Sequence, residues 1–149
     1  MRAVVQRVSG ASVTVDGEVI SSIGPGLLVL IAVGKGDNQR HADYLANKLC
    51  ELRIFEDPSG KMNLNVRQVE GAILLVSQFT LFGDARKGNR PSFENAELPE
   101  AARLLFNSLA ASIHKLGVPI STGKFRAHMK IQLINDGPIT ILIDSAKLF

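Results

Sequence analysis

Leu27-Leu28-Val29-Leu30-Ile31-Ala32-Val33 contains no polar side chain, and it is bracketed by Gly24-Pro25-Gly26 on one side and by Gly34 and Gly36 on the other. Its length, its β-branched residues and its glycine boundaries read as a strand, and the lack of any polar face predicts burial on both sides. Ala72-Ile73-Leu74-Leu75-Val76 repeats the pattern. Two such strands require a sheet covered on both faces. Upstream, residues 4–8 and 11–15 read as β segments, and Asp16-Gly17 is a tight-turn signal before a further run at 18–23. Downstream, Asp37 is placed to cap a helix whose Ala42, Leu45, Ala46 and Leu49 recur at helical spacing through Cys50. Residues 53–56 read as a short strand ending in the turn Asp57-Pro58-Ser59-Gly60. A second helix starts at Pro99, carries the stripe Ala102, Leu105, Phe106, Leu109 and Ile113, and closes at Gly117. Near the C-terminus, Ile131-Gln132-Leu133-Ile134 and Ile139-Thr140-Ile141-Leu142-Ile143 flank Asn135-Asp136-Gly137-Pro138, which reads as a hairpin corner. Two helices among many strands predict a single mixed α/β domain over residues 1–149.

Composition narrows the function classes. Of the 149 residues, 46% are hydrophobic and 21% charged, the balance of an ordinary globular domain. No apolar tract reaches the ~18 residues of a membrane span, and the N-terminus lacks the layout of a secretory signal. A soluble, cytoplasmic protein is expected. The single cysteine, Cys50, has no internal partner and falls on an apolar helix face. The net charge of +3 favours a polyanion. Arg86, Lys87 and Arg90 crowd one long loop, and Lys124, Arg126, His128 and Lys130 crowd another segment, so two basic regions could meet phosphates.

The familiar hydrolase constellations are thin. His41, His114 and His128 are the histidine bases available, and no paired-ligand zinc motif, Gly-x-Ser-x-Gly elbow or Walker loop is present. Neither a metal nor a cofactor is expected. Ser77 and Thr80 carry hydroxyls in Ser77-Gln78-Phe79-Thr80-Leu81, which follows the second buried strand, but a hydroxyl needs a base within reach to become a nucleophile. A loop at a strand end can instead present backbone N–H donors to an oxyanion. The Gly137-Pro138 pair fixes the direction of its carbonyls, whether as a plain turn or as a rigid obstacle.

Taken together, Ser77-Gln78-Phe79-Thr80-Leu81 and Asn135-Asp136-Gly137-Pro138-Ile139-Thr140 resemble the signature pair of the D-aminoacyl-tRNA deacylases. Met1-Arg2-Ala3-Val4-Val5-Gln6-Arg7-Val8, the loop at 83–93 and Thr122-Gly123-Lys124-Phe125 are similar to that family in the same order, so the resemblance spans the chain. It implies a three-layer α/β/β sandwich with a mixed sheet and two main helices. The implied activity is hydrolysis of the ester of a D-amino acid on tRNA. Ser77, Gln78, Phe79 and Thr80 would cradle the aminoacyl-adenosine end, mostly through main-chain groups, with the terminal ribose 2′-hydroxyl assisting. Gly137 and Pro138, joined by a cis bond and braced by Arg7, would enter the partner subunit's site of a homodimer and reject L-amino acids. Arg86, Lys87, Arg90, Lys124 and Met129 would contact the tRNA. A steric filter cannot exclude glycine, so tRNA carrying glycine is an expected second substrate. Arg126 stands where a small residue is expected. Two readings from other classes remain beside this one: a non-catalytic RNA-binding module, weakened by 5% aromatics with no Trp, and a general esterase, weakened by the missing triad.

Overall fold

The computed structural model describes residues 1–149. In chain order it contains β1 (Arg2–Val15), β2 (Glu18–Ile23), β3 (Gly26–Ala32), α1 (Gln39–Glu51), β4 (Phe55–Glu56), β5 (Met62–Leu64), β6 (Ala72–Ser77), α2 (Pro99–Lys115), β7 (Ile120–Thr122) and β8 (Lys130–Asp144). A 3-10 turn, Phe79–Phe82, follows β6 directly. The main sheet runs β2-β1-β3-β6-β7, with β8 on the other side of β1, while β4 and β5 form a small separate ribbon. β3, β6 and β7 are parallel and the remaining pairs are antiparallel, so the sheet is mixed.

The alternation expected of a doubly covered strand sorts the core into two layers. Leu27, Val29 and Ile31 of β3, with Ile73 and Leu75 of β6, face Leu45, Leu49, Phe106 and Leu109 of the two helices. Leu28, Leu74 and Val76 point the other way, onto Val8, Val13 and Val15 of β1 and the half-buried Ile131 and Leu133 of β8. The order is helices, central sheet, then the far halves of β1 and β8 folded across its back. This is the α/β/β layering that the family resemblance implies. Gly26 lets β3 and β6 begin side by side: a Cβ there would lie 1.9 Å from the Ala72 carbonyl oxygen.

Several local expectations change. Residues 4–8 and 11–15 are one strand, because β8 pairs with β1 from Arg2↔Asp144 to Thr14↔Lys130 and bridges the irregularity between them. The C-terminal hairpin does not form. Both apolar runs belong to the single strand β8, laid end to end against β1, and the chain does not reverse at Gly137-Pro138. The register passes from Gln6↔Thr140 to Gly10↔Ile134, four steps along β1 against six along β8. The extra length bulges out at the dipeptide. A proline without an N–H is tolerated there because β8 is an edge strand and a bulge interrupts its ladder. The α1 cap is Asn38, whose side chain accepts from Arg40 N–H while His41 Nδ1 accepts from Asn38 N–H. Asp37 instead accepts from Gly34 N–H. Asp16 and Gly17 both have positive φ, as the tight β1–β2 turn requires.

Candidate active site

β3 and β6 end together, with Ile31 opposite Ser77, at the edge of a pocket of about 660 Å³. The exit from β6 is pinned by Gln78 N–H donating to the Ile31 carbonyl at 2.6 Å. The chain then tightens into the 3-10 turn, closed by Leu81 N–H to Gln78 O and Gly83 N–H to Thr80 O. The first N–H groups of such a turn have no internal acceptor. The amides of Phe79 and Thr80 accordingly find none within the chain.

The turn is anchored from outside the pocket. Arg2 Nη1 donates to the Leu81 carbonyl at 3.1 Å, its Nε meets the buried Asp144 carboxylate at 3.2 Å, and its guanidinium lies 4.5 Å from the centre of the Phe82 ring. Phe82 in turn packs so closely over Gly34 that a Cβ there would sit 2.5 Å from Cζ. Gln78 Nε2 donates to Thr80 Oγ1. No carboxylate or imidazole hydrogen-bonds that hydroxyl, so Thr80 lacks the base that a covalent nucleophile needs.

Ser77, Gln78, Phe79 and Met129 line the pocket together, and most of its other walls are apolar. Phe79, 58% exposed, meets Phe93 edge-on at 5.2 Å, and Phe106 meets Phe125 at 5.9 Å. Such walls suit a flat or apolar group, with orientation set by a few polar atoms. Gly123 makes room for Met129, since a Cβ on it would lie 2.8 Å from Sδ. Arg126 and His128 also face the pocket. The turn closed by Ala127 N–H to Lys124 O holds Arg126 at φ +63°, a left-handed conformation that costs an arginine about 1 kcal/mol or more.

Arg86, Lys87, Arg90 and Lys124, anticipated as RNA contacts, lie outside the pocket lining. In the 82–98 loop, paired backbone bonds between Asp84 and Ser92 close a tip on which Lys87 and Arg90 are exposed. Arg86 is held by Asp84 through bonds of 2.9 and 2.6 Å, which pull the Asp84 carboxyl down to about 2. The loop returns along the residues that follow β3, where Lys35 N–H donates to Asn95 O and Glu97 N–H to Val33 O. That return sets Leu98 and Phe93 as one wall of the pocket. Lys124 is exposed beside it.

Gly137 and Pro138 are exposed and take no part in this chain's own pocket. Their peptide bond is cis, with Gly137 at φ +129°. Arg7, expected to brace this corner, is 7% exposed. Its Nε donates to the Asp136 carbonyl at 3.1 Å and its Nη1 to the Ile54 carbonyl at 2.8 Å. Asn135 completes the frame: its Oδ1 accepts from Ile139 N–H and its Nδ2 donates to Thr140 Oγ1.

Phe93, Leu98 and Phe106 were not singled out as site residues in the sequence. The length of the 82–98 loop was the signal for the first two, while Phe106 reads only as part of the α2 core stripe. Of the histidines, only His128 reaches the pocket, since His41 caps α1 and His114 is exposed on α2.

A family model described as D-Tyr-tRNA(Tyr) deacylase matches residues 4–144. The chain is 57% identical to the D-aminoacyl-tRNA deacylase of Anaeromyxobacter dehalogenans and 56% identical to that of a Thermoanaerobacter species, in each case over 100% of both chains. Among solved structures, one named c-Myc DNA Unwinding Element Binding Protein superposes with a TM-score of 0.92 at 44% identity, covering 97% of this chain and 98% of that one. A structure described as a probable eukaryotic D-amino acid tRNA deacylase shares the fold at a TM-score of 0.80 and 16% identity, covering 95% and 97%.

Proposed function

The chain belongs to the D-Tyr-tRNA(Tyr) deacylase family, and from that premise we propose that it hydrolyses the ester joining a D-amino acid to the 3′ end of tRNA, releasing both. The observation that carries the reading is the pair of unpartnered amides of Phe79 and Thr80: Phe79 lines a largely apolar pocket, and Thr80, outside the lining, follows it in the turn. The apolar walls receive the terminal adenosine, with Met129 beside it. The two N–H groups bind the ester carbonyl and strengthen their hold as negative charge develops on its oxygen, the condition for lowering the barrier. An aminoacyl ester is already activated, so a positioned water, helped by the neighbouring ribose 2′-hydroxyl, completes the reaction without a protein nucleophile. Gln78 keeps the turn in shape through Thr80, and Ser77 fixes where the turn departs from β6.

Chirality is assigned to Gly137 and Pro138 acting across a homodimer. The dipeptide projects from an edge strand, away from its own pocket, and its flanking groups are tied to Arg7 and Asn135. Inserted into a partner's pocket, it blocks the direction an L side chain takes. Glycine presents nothing to block, so glycyl-tRNA is also cleaved. The exposed Lys87, Arg90 and Lys124, with Arg86, meet the tRNA backbone.

The test is deacylation of matched D- and L-tyrosyl-tRNA and of glycyl-tRNA by the purified protein. Loss of the D and glycyl esters with survival of the L ester supports the reading. Equal loss of the D and L esters would remove the filter role of Gly137 and Pro138. If every ester survives while tRNA still binds, the chain is a nucleic-acid-binding module.

A further inference from the structure

We propose that Arg126 is a phosphate clamp: it grips the RNA backbone where the strand leaves the pocket, a binding role specific to this side chain and resting on the deacylase reading above. Three observations converge. Arg126 is the third residue of the turn closed between Lys124 and Ala127, where φ is +63° and glycine or asparagine is the natural occupant. The guanidinium has no internal partner: like those of Arg40 and Arg90 it makes no hydrogen bond and no ion pair within the chain, whereas Arg2, Arg7, Arg53, Arg67, Arg86 and Arg103 are paired; of the three free ones, only Arg126 lines the pocket. The residue is nevertheless on the pocket wall, exposed, between Lys124 and His128. Glu97 is the acidic residue of that wall, and its Oε1 accepts from Leu98 N–H.

An arginine held in an unfavourable conformation, with its planar fork free, is suited to a ligand that supplies the missing acceptors. Phosphate matches that fork, accepting two parallel N–H bonds. The pocket itself is mostly apolar and offers little else to an anion. If adenosine and the amino acid fill the interior, the phosphates that follow pass the rim, where Arg126 stands. The clamp binds ground state and transition state alike, so it acts on affinity and leaves the chemical step alone.

Equilibrium binding of uncharged tRNA across a salt series, with thermal melting alongside, reads this directly. Arg126→Gly and Arg126→Asn both suit the positive φ, so both are expected to hold or raise the melting midpoint. Both should lose about fivefold in affinity at low salt, with the slope of log affinity against log salt shallower by about 0.7–1, one phosphate contact. Arg126→Lys keeps the wild-type slope. A D-aminoacyl adenosine without phosphates should be hydrolysed by Arg126→Gly at the wild-type KM. Unchanged tRNA affinity and slope in both neutral variants would overturn the clamp, as would an equal rise in KM for the phosphate-free ester, which would assign Arg126 to pocket shape. A wild type that leaves D-aminoacyl-tRNA intact, yet binds tRNA with a slope that depends on Arg126, overturns the deacylase reading and upholds the clamp.

Discussion

The turn Phe79–Phe82 follows the end of a strand and the corner at Gly137-Pro138 bulges from the middle of one, and they treat their backbone groups in opposite ways. The turn leaves the amides of Phe79 and Thr80 without acceptors and gathers its support behind, through Arg2 and Phe82. The corner ties down its surroundings, with Asp136 O on Arg7 and Ile139 N–H on Asn135, and projects the dipeptide into solvent. On the proposed roles, free donors suit a site that must stabilise charge as it forms, whereas a steric filter needs stiffness. The contrast teaches that stiffness serves both regions but is spent differently: one holds donors open, the other holds a shape.

The sharpest way to break the comparison is to remove one open donor. Gln78, at φ −145° and ψ 75°, stands outside the helical region that proline disfavours before it, and Phe79 is the first residue of the turn, where proline is tolerated and deletes that N–H. Phe79→Pro is expected to lower kcat by about 10²–10³-fold relative to Phe79→Ala, which loses the ring but keeps the amide. Single-turnover deacylation of D-tyrosyl-tRNA measures it. Equal rates in the two variants would mean that this amide is idle.

Which parts of this were legible beforehand follows from the range of the interactions. The burial of residues 27–33 and 72–76 is written in their lack of polar side chains, and the α2 start in Pro99. The amide-bearing turn could be located, because it follows a buried strand. The single strand β8 could not. A Gly-Pro pair is locally a chain reversal, and only the fourteen-residue partner β1, more than a hundred residues away, supplies a ladder on both sides of it. Likewise Phe106 looks like any core residue of a helix stripe until α2 is docked beside Phe125. Pocket walls assembled from distant segments leave no periodic trace.

Loosening the corner is expected to have the next largest effect. Arg7→Ala leaves two carbonyls, of Asp136 and Ile54, without their donor, costing about 2–4 kcal/mol of stability. On the proposed filter role it also erodes the preference for D over L esters by about tenfold, because an obstacle that yields cannot exclude. Arg7→Lys, able to satisfy one of the two carbonyls, falls between. Chemical denaturation and paired D and L assays separate the two effects. Loss of stability with discrimination intact would leave Arg7 a purely structural residue.

A milder change probes the support behind the turn. Gly34→Ala places a methyl 2.5 Å from Phe82 Cζ, and the ring must move from under Arg2. Overpacking of this kind costs about 1–3 kcal/mol. The displaced turn is expected to lower kcat severalfold with little change in KM, as measured by steady-state deacylation. A rise in KM alone would place the disturbance at the pocket wall near Ala96, which bridges to Gly34, and not at the amides.

The smallest effect is expected from the residue that most resembles a nucleophile. Thr80 Oγ1 accepts from Gln78 Nε2, and no base is bonded to it. Thr80→Ala removes the hydroxyl but keeps the N–H that the proposed chemistry uses, so kcat should fall by less than about fivefold, against ~10⁴-fold or more when a covalent nucleophile is lost. A near-complete loss of turnover in Thr80→Ala, with the melting midpoint unchanged, would return the reaction to the side chain. It would also reverse the reading of this turn, since the open amides would then be a consequence of presenting the hydroxyl. Retained activity leaves the backbone as the working part, and explains why the turn is held so firmly from behind by Arg2 while its own side chain carries no chemistry.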